Sequence, residues 1–347
     1  MVSYLVMRAI PYLIPVLVTS VFVALVYAGL VWAGPFLLPV LGMLNRYCGR
    51  FTLPELITEY AYFHHSPHTS AVRTFSAFFF TGFNAWICCY LSANVLEIPE
   101  LMAFLYSVVI LNSNFAISLS HELMHSGKKI DRWMATCILL LNGFFYLESD
   151  HLYIHHRYVG TERDPASALP GENVYRYLFR SIRSRIKMVF GLTRIFPDPR
   201  ARRIIQGNYA RFLLCILLLI FAFRWDKQVF SWLLVQYLAV TLIYEVITYI
   251  QHYGLRRAYT APGKIEDVDL HHSWNCNYRL SAYLYFMMPV HAIHHLRNEP
   301  ELEKLTWAGP VFPYPFAQMV TMALIPSAWF KTMNERVNEV EKKLSDL

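Results

Sequence analysis

PELMAFLYSVVILNSNFAISLSHELMH runs from Pro99 to His125. Residues 99–120 are apolar and long enough to cross a bilayer, which takes about 20 residues. The stretch then closes on His121-Glu122-Leu123-Met124-His125. Histidines at i and i+4 lie on one helical face, so both imidazoles can meet one metal ion. A spanning helix that delivers a ligand pair at its end sets the reading of everything around it.

Outward toward the N-terminus, residues 74–95 form a second span, joined to the first by the acidic turn Leu96-Glu97-Ile98-Pro99-Glu100. Residues 10–44 are long enough for two short or tilted helices, with a break expected at Ala33-Gly34-Pro35. This apolar run exceeds a signal-peptide core of about 7–15 residues and reads as an anchor. Toward the C-terminus, residues 209–223 and 229–250 make a third pair across Arg224-Trp225-Asp226-Lys227. The expected fold is an all-α integral membrane protein: six transmembrane helices in three hairpins, with a cytoplasmic histidine-rich helical cap. It divides into two hairpins (1–120), a histidine-bearing segment with an interfacial helix (121–208), a third hairpin (209–251) and a second histidine-bearing segment (252–347). The apolar segment 133–145 is short. Crossing there would part the histidines on its two sides, so it is expected to lie along the interface or re-enter.

Composition agrees. Hydrophobic residues make up 56% of the 347 and charged residues 16%, against about 25% charged in soluble domains; one soluble core could not hide so much apolar surface. Of 31 Lys and Arg, 14 fall between His121 and Asn208 and ten follow His252, while only Arg224 and Lys227 mark the expected outer turns. The positive-inside rule then predicts a multi-pass protein with both termini and the histidine boxes cytoplasmic. The net charge of +7 points to anionic membrane lipids and not to nucleic acid, for which no aromatic-basic motif is present. The six cysteines form no CxxC pair, so neither a zinc ribbon nor an iron–sulfur site is expected.

Two more histidine clusters follow: His151, His155 and His156 (HxxxHH), and His291, His294 and His295 (HxxHH). His252 stands at the end of the last span in Gln251-His252-Tyr253-Gly254. A catalytic zinc needs three protein ligands and an open position, so this supply exceeds one zinc and suits two metals with open sites. Neutral imidazole also binds iron, and iron, unlike zinc, has redox chemistry.

These motifs resemble those of the membrane-bound alkane hydroxylase and xylene monooxygenase family, within the integral-membrane desaturase and hydroxylase superfamily. The matching residues are 120–125, then 151–156 followed by Asp164-Pro165-Ala166-Ser167, then Tyr249-Ile250-Gln251-His252-Tyr253-Gly254-Leu255, His271-His272-Ser273-Trp274-Asn275, and 291–295. The resemblance implies a di-iron ligand set of His121, His125, His151, His155, His156, His252, His291, His294 and His295, its partition between two Fe ions left open. It also implies an O2-dependent monooxygenase that hydroxylates an unactivated, terminal C–H bond of an alkane or similar lipophilic hydrocarbon. Electrons would come from a rubredoxin or ferredoxin with a reductase.

Beside the ligands, His271 and His272 belong to a family motif without being ligands. Glu245, seven positions before His252, is expected to accept an imidazole N–H and orient that ring. Asp164 either orients a ligand or forms a turn with Pro165. Asn114 either faces the metals or bonds across helices. His64, His65 and His68 read as a solvated loop. Thr248 departs from the family's usual Asn, and Pro289-Val290-His291-Ala292 replaces polar residues of relatives. Arg180, Arg183, Arg185, Lys187 and Arg194, in the basic stretch from Arg176 to Arg203, could dock an acidic electron donor or bind anionic headgroups. Trp32, Phe36, Phe78 and Phe83 either set chain length or pack. Alternatives on the same metals are an acyl-lipid desaturase and a fatty-acid decarboxylase making a terminal alkene. A zinc protease with Glu122 as base leaves six histidines unused, and a metal carrier would place them near the bilayer midplane.

Overall fold

The computed structural model describes residues 2–192, 199–261, 264–296, 305 and 309–345. Among these residues five helices are long and apolar enough to cross a membrane: α1 (Leu5–Tyr27), α4 (Pro67–Ala93), α5 (Ile98–Met124), α9 (Pro199–Trp225) and α10 (Lys227–His252). Between α1 and α4 lie α2 (Val31–Leu44) and α3 (Leu53–His65). The chain is mostly helical; among the described residues the only sheet is a two-stranded antiparallel pair, β1 (Tyr259–Ala261) and β2 (Lys264–Ile265).

The first break falls earlier than expected. It comes at Gly29, which takes φ +73°, while Pro35 sits inside a 3-10 turn spanning Val31–Phe36. Gly29 can adopt a left-handed conformation without the penalty a Cβ brings, whereas Pro35, which has no N–H to donate, stands within the short 3-10 turn. The second segment is thus a short apolar helix beside α5 and not a sixth full-length span. Gly34 lets it approach closely: a Cβ there would meet Ser107 Oγ at 2.4 Å and the Phe22 ring at 2.7 Å.

Within the bilayer region α4 and α5 are clasped by a reciprocal amide pair, Asn84 to Asn112 at 3.3 and 3.1 Å. Interhelical hydrogen bonds of this kind hold apolar helices that have no hydrophobic drive to associate. Asn112 also opens a π turn (Asn112–Ala116), which rotates the end of α5 and the histidines it carries.

After α5 the chain turns into α6 (Lys129–Leu141), too short to span. Its start is pinned by Asp131, which accepts from Ser126 Oγ at 2.6 Å and Thr74 Oγ1 at 3.1 Å. Asn142-Gly143 then reverses the chain into α7, residues 147–158, which contains a second π turn (His151–His155). Helix α8 (Val174–Phe190) follows, and α10 ends at His252. The remaining helices are α11 (Arg279–Leu284), α12 (His291–His295), α13 (Phe316–Ala323) and α14 (Pro326–Ser345). Helices run across the segment limits drawn from sequence: α5 continues to Met124 and α9 starts at Pro199.

Candidate metal centre

Four elements bring the clustered histidines to one end of the bundle. The end of α5 supplies His121 and His125, the π turn of α7 supplies His151, His155 and His156, α10 supplies His252, and α12 supplies His291, His294 and His295. They sort into two adjoining groups, His121/His125/His151/His294 and His155/His252/His291/His295, in each of which one ligand atom per residue lies within 4.8 Å of all the others. Nε2 atoms face each other: His151 and His125 at 3.0 Å, His252 and His291 at 3.1 Å, His295 and His291 at 3.1 Å. Nitrogens around one ion at about 2.1 Å would stand roughly 3.4 Å apart in tetrahedral array, so the spacing suits ligands converging on a common centre. His156 sits against the first group, its Nε2 2.9 Å from that of His151, with its ring 4.6 Å from that of His295 in the second. The His155/His252/His291/His295 group is wholly buried and His156 and His294 are half-buried; His125 is exposed as a residue, but its ring is enclosed by those of His121, His151, His156 and His294.

The outer nitrogens test whether a metal fits. His121 gives Nδ1 to Glu122 Oε1 at 3.0 Å, and His155 gives Nδ1 to Asp164 Oδ2 at 3.0 Å. In both rings the opposite Nε2 is buried and has no protein partner. A carboxylate behind a ring whose far nitrogen points into a histidine cluster is the arrangement that orients a metal-ligating imidazole and raises its basicity. His252 Nδ1 lies 3.2 Å from Ser273 Oγ and 3.4 Å from the His272 carbonyl. Burial, together with the nearby His121, pushes His125 down to about 4. His151, His156, His291, His294 and His295 are held well below the ordinary value, first by burial and then by their histidine neighbours. Neutral rings are the metal-binding form. The residues fit a pair of metal ions.

Asp164 contacts both a ligand candidate and its own turn. It stands 3.0 Å from His155 Nδ1, and it also accepts from Ser167 Oγ at 2.7 Å and the Ala166 N–H at 3.1 Å. Against burial, which would raise it, His155 holds its carboxyl at about 2. The His271–Asn275 motif ties the ligand segments together. Trp274 N–H donates to Gln251 O at 2.8 Å, and Asn275 Oδ1 accepts the Ala292 N–H at 2.7 Å at the start of α12. His272 turns away from the cluster: Nδ1 accepts the Asp269 N–H at 2.9 Å, leaving Nε2 protonated and donating to Glu266 at 3.0 Å. With both nitrogens so engaged, Glu266, His271 and His272 lie close without offering a third metal site. His271 lies 3.7 Å from Asp269.

Other expectations are corrected. Glu245 does not reach His252. Seven residues along a helix is about 10.5 Å, and Glu245 instead pairs with Arg185 of α8 at 2.9 Å and accepts from Ser181 Oγ at 2.7 Å. Asn114 donates back to Ile110 O of its own helix at 2.8 Å, and the bond across helices is made by Asn112. His64 and His65 end α3, and His68 lies in the first turn of α4, so none is in a loop; His64 Nε2 stands 3.8 Å from Glu122 Oε2. Arg185 is buried and Arg180 is chelated by Glu172 at 2.7 and 2.8 Å, leaving Arg176, Arg183, Lys187, Arg202 and Arg203 exposed on the basic stretch. Arg194 lies outside the described residues. Trp32, Phe36 and Phe78 are exposed, and Phe83 is buried in a stack on Trp86 at 5.6 Å. Glu122 faces the outer nitrogen of His121, the wrong side for a protease base. Sequence reasoning put Arg185 on the donor- or headgroup-binding surface, whereas it is buried; one arginine among several in an amphipathic helix carries no signal of which will face inward.

The fatty acid desaturase family profile matches residues 99–300. Alkane 1-monooxygenase of Pseudomonas putida is 31% identical over 243 residues, 67% of this chain and 59% of that protein. Alkane 1-monooxygenase 2 of Alcanivorax borkumensis is 27% identical over 242 residues, 68% of this chain and 63% of its own. The hydroxylase component of the xylene/toluene monooxygenase of Pseudomonas putida is 25% identical over 221 residues, 62% of this chain and 58% of that protein. The chain thus spans about three-fifths of the length of the curated relatives it matches.

Proposed function

The chain belongs to the fatty acid desaturase family, in its branch of alkane and xylene monooxygenases, and from that premise we propose that it is a di-iron, O2-dependent membrane monooxygenase. It hydroxylates a terminal, unactivated C–H bond of an alkane or similar lipophilic hydrocarbon to an alcohol. The observation that carries this reading is the convergence of nine imidazoles, eight in two adjoining groups of four and His156 beside the first, with carboxylates behind His121 and His155.

His121, His125, His151 and His294 hold one ion and His155, His252, His291 and His295 the other, with His156 beside the first. A bound iron pair supplies the redox chemistry of O2 activation, which no side chain can provide. Glu122 and Asp164 keep the outer nitrogens of His121 and His155 protonated and the inner ones aimed at the ions. Ser273 and the His272 carbonyl do the same for His252. The buried surroundings of the second group exclude water from the reacting carbon. An apolar substrate partitions into the bilayer and enters between helices, one chain end toward the metals. Electrons come from a small acidic donor of the rubredoxin or ferredoxin kind with its reductase, docking on the exposed cations Arg176, Arg183, Lys187, Arg202 and Arg203. The histidines and both termini face the cytoplasm, where reductant is available.

The test is purification of the full chain in lipid, measurement of iron, and supply of a donor and reductase with C6–C16 alkanes, alkylbenzenes and fatty acids. Two irons per chain and terminal alcohols support the proposal. Zinc alone, with no oxygen consumption, defeats it. Alkene products would shift the assignment to a desaturase or decarboxylase on the same scaffold.

A further inference from the structure

Among the described residues Arg185 is the largest charged side chain that is wholly buried, and no expectation drawn from sequence placed it inside. It sits on α8, which carries none of the nine histidines. Its guanidinium nevertheless touches two elements that do. Nη1 donates to Asp150, the residue immediately before His151 in α7. Nε lies 2.9 Å from Glu245 Oε1, on α10 two turns before His252, and 3.1 Å from Ser181 Oγ. Nη2 donates to Thr248 Oγ1 at 3.2 Å, and Tyr177 meets the same oxygen at 3.0 Å. The planar fork of arginine can fix two carboxylates in a set mutual orientation, which the point charge of lysine cannot.

We propose that Arg185 is a positioning residue of the metal centre: by clamping Asp150 and Glu245 it sets the placement of the His151–His156 turn against the end of α10. This rests on the metal reading above. The geometry gives it reach over both metal groups, because the π turn contributes His151 to one and His155 to the other, while α10 contributes His252 to the second. A strut that served stability alone could be replaced by any neutral, well-packed filling. A positioning clamp could not, because the ligand-bearing elements would keep their fold and lose their register. The network also gives Thr248 a function: a short hydroxyl there lets the guanidinium and Tyr177 share one acceptor.

The experiment uses the full-length protein in lipid nanodiscs loaded with Co2+, whose visible ligand-field bands report ligand geometry without turnover. Three forms accompany wild type: Arg185→Lys, Arg185→Met, and the electroneutral triple variant Asp150→Asn/Arg185→Met/Glu245→Gln. Thermal unfolding and cobalt stoichiometry are read beside the spectra. Arg185→Met is expected to lose cobalt from two per chain to one or fewer. The triple variant, relieved of unpaired buried charge, is expected to recover wild-type thermal stability while its bands stay shifted and weakened. Arg185→Lys is expected to fall between, with both ions bound and altered bands. Wild-type bands and stoichiometry in the triple variant overturn the proposal, since the clamp would then be dispensable. If Arg185→Met fails to fold, the triple variant and Arg185→Lys still decide it. A wild-type chain that takes up no cobalt or iron overturns the metal reading and this inference with it, an outcome distinct from loss in the variants alone.

Discussion

At the scale of single residues, the outer nitrogens of His121, His155 and His252 are each held by a neighbouring group. Asp164 is the clearest case, because one carboxylate both shapes its own turn and holds His155. Asp164→Asn keeps the shape and the Ser167 contact but removes the charge that favours the right tautomer. Loss of such a partner typically costs about 10–100-fold in metal affinity. Titration of the metal-free chain with Co2+ should show that weakening in one of two binding steps; two unchanged steps would contradict the role. The histidines also set a pH window. A ligand ring must be neutral, and the ordinary imidazole value is about 6.5. Because enclosure holds the His125 ring at about 4 and five others below their ordinary value, these six rings stay neutral as pH falls through 6.5. Metal should therefore be retained through about pH 6 and released only toward pH 4. Half-release near pH 6.5, measured by dialysis and metal analysis, would show that the rings behave as exposed imidazoles.

At the scale of elements, the decisive feature is the reversal that brings the second histidine cluster back beside the first. It is made at Gly143, which has φ +71° and a backbone so close to Tyr237 that a Cβ would fall 2.2 Å from the ring. A left-handed conformation costs an L-residue about 1–2 kcal/mol by itself, and displacement of the Tyr237 ring adds to it. Gly143→Ala should lower the thermal midpoint and reduce metal content together, whereas Gly127→Ala, where a Cβ meets nothing within 4 Å, should change neither. A second special turn precedes α12, where Phe286 and Met287 take φ of 50° and 62°. Neither is glycine, so no sequence signal marked this bend. The two π turns were equally hidden, since each inserts one residue into an otherwise regular helix without changing its composition.

At the scale of the whole molecule, two of the long apolar helices serve as posts whose ends carry clustered histidines. His121 at the end of α5 and His252 at the end of α10 meet residues from α7 and α12, which are too short to span. The turn Arg224-Trp225-Asp226-Lys227 lies at the opposite end of α9 and α10. If the histidines face the cytoplasm, Lys227→Cys should react with a membrane-impermeant thiol reagent added outside intact cells. Arg163→Cys, beside the histidine end, should react only after permeabilisation. The reverse pattern would invert the topology. The same layout explains why α6 cannot cross: His125 and His151 flank it and stand 3.0 Å apart.

Much of this was legible before any coordinates. Apolar runs of spanning length are a local property, and so is the i, i+4 spacing that places His121 and His125 on one face. The resemblance of five short motifs to a known family pointed to the nine candidate ligands, because motif residues keep their order whatever lies between them. Long-range partnership was not legible. Glu245 looked like a support for His252 because both lie on one helical face, yet seven residues of rise separate them and Arg185 arrives from another helix. Arg185 in turn looked like a surface charge, since an amphipathic helix does not announce a buried cation. The gathering of the rings into two groups, the bend at Gly29 instead of Pro35, and the work of Asn112 in place of Asn114 were decided by packing. A sequence specifies which side chains can bind, bend or cross; which of them meet depends on distances set only once every helix is in place.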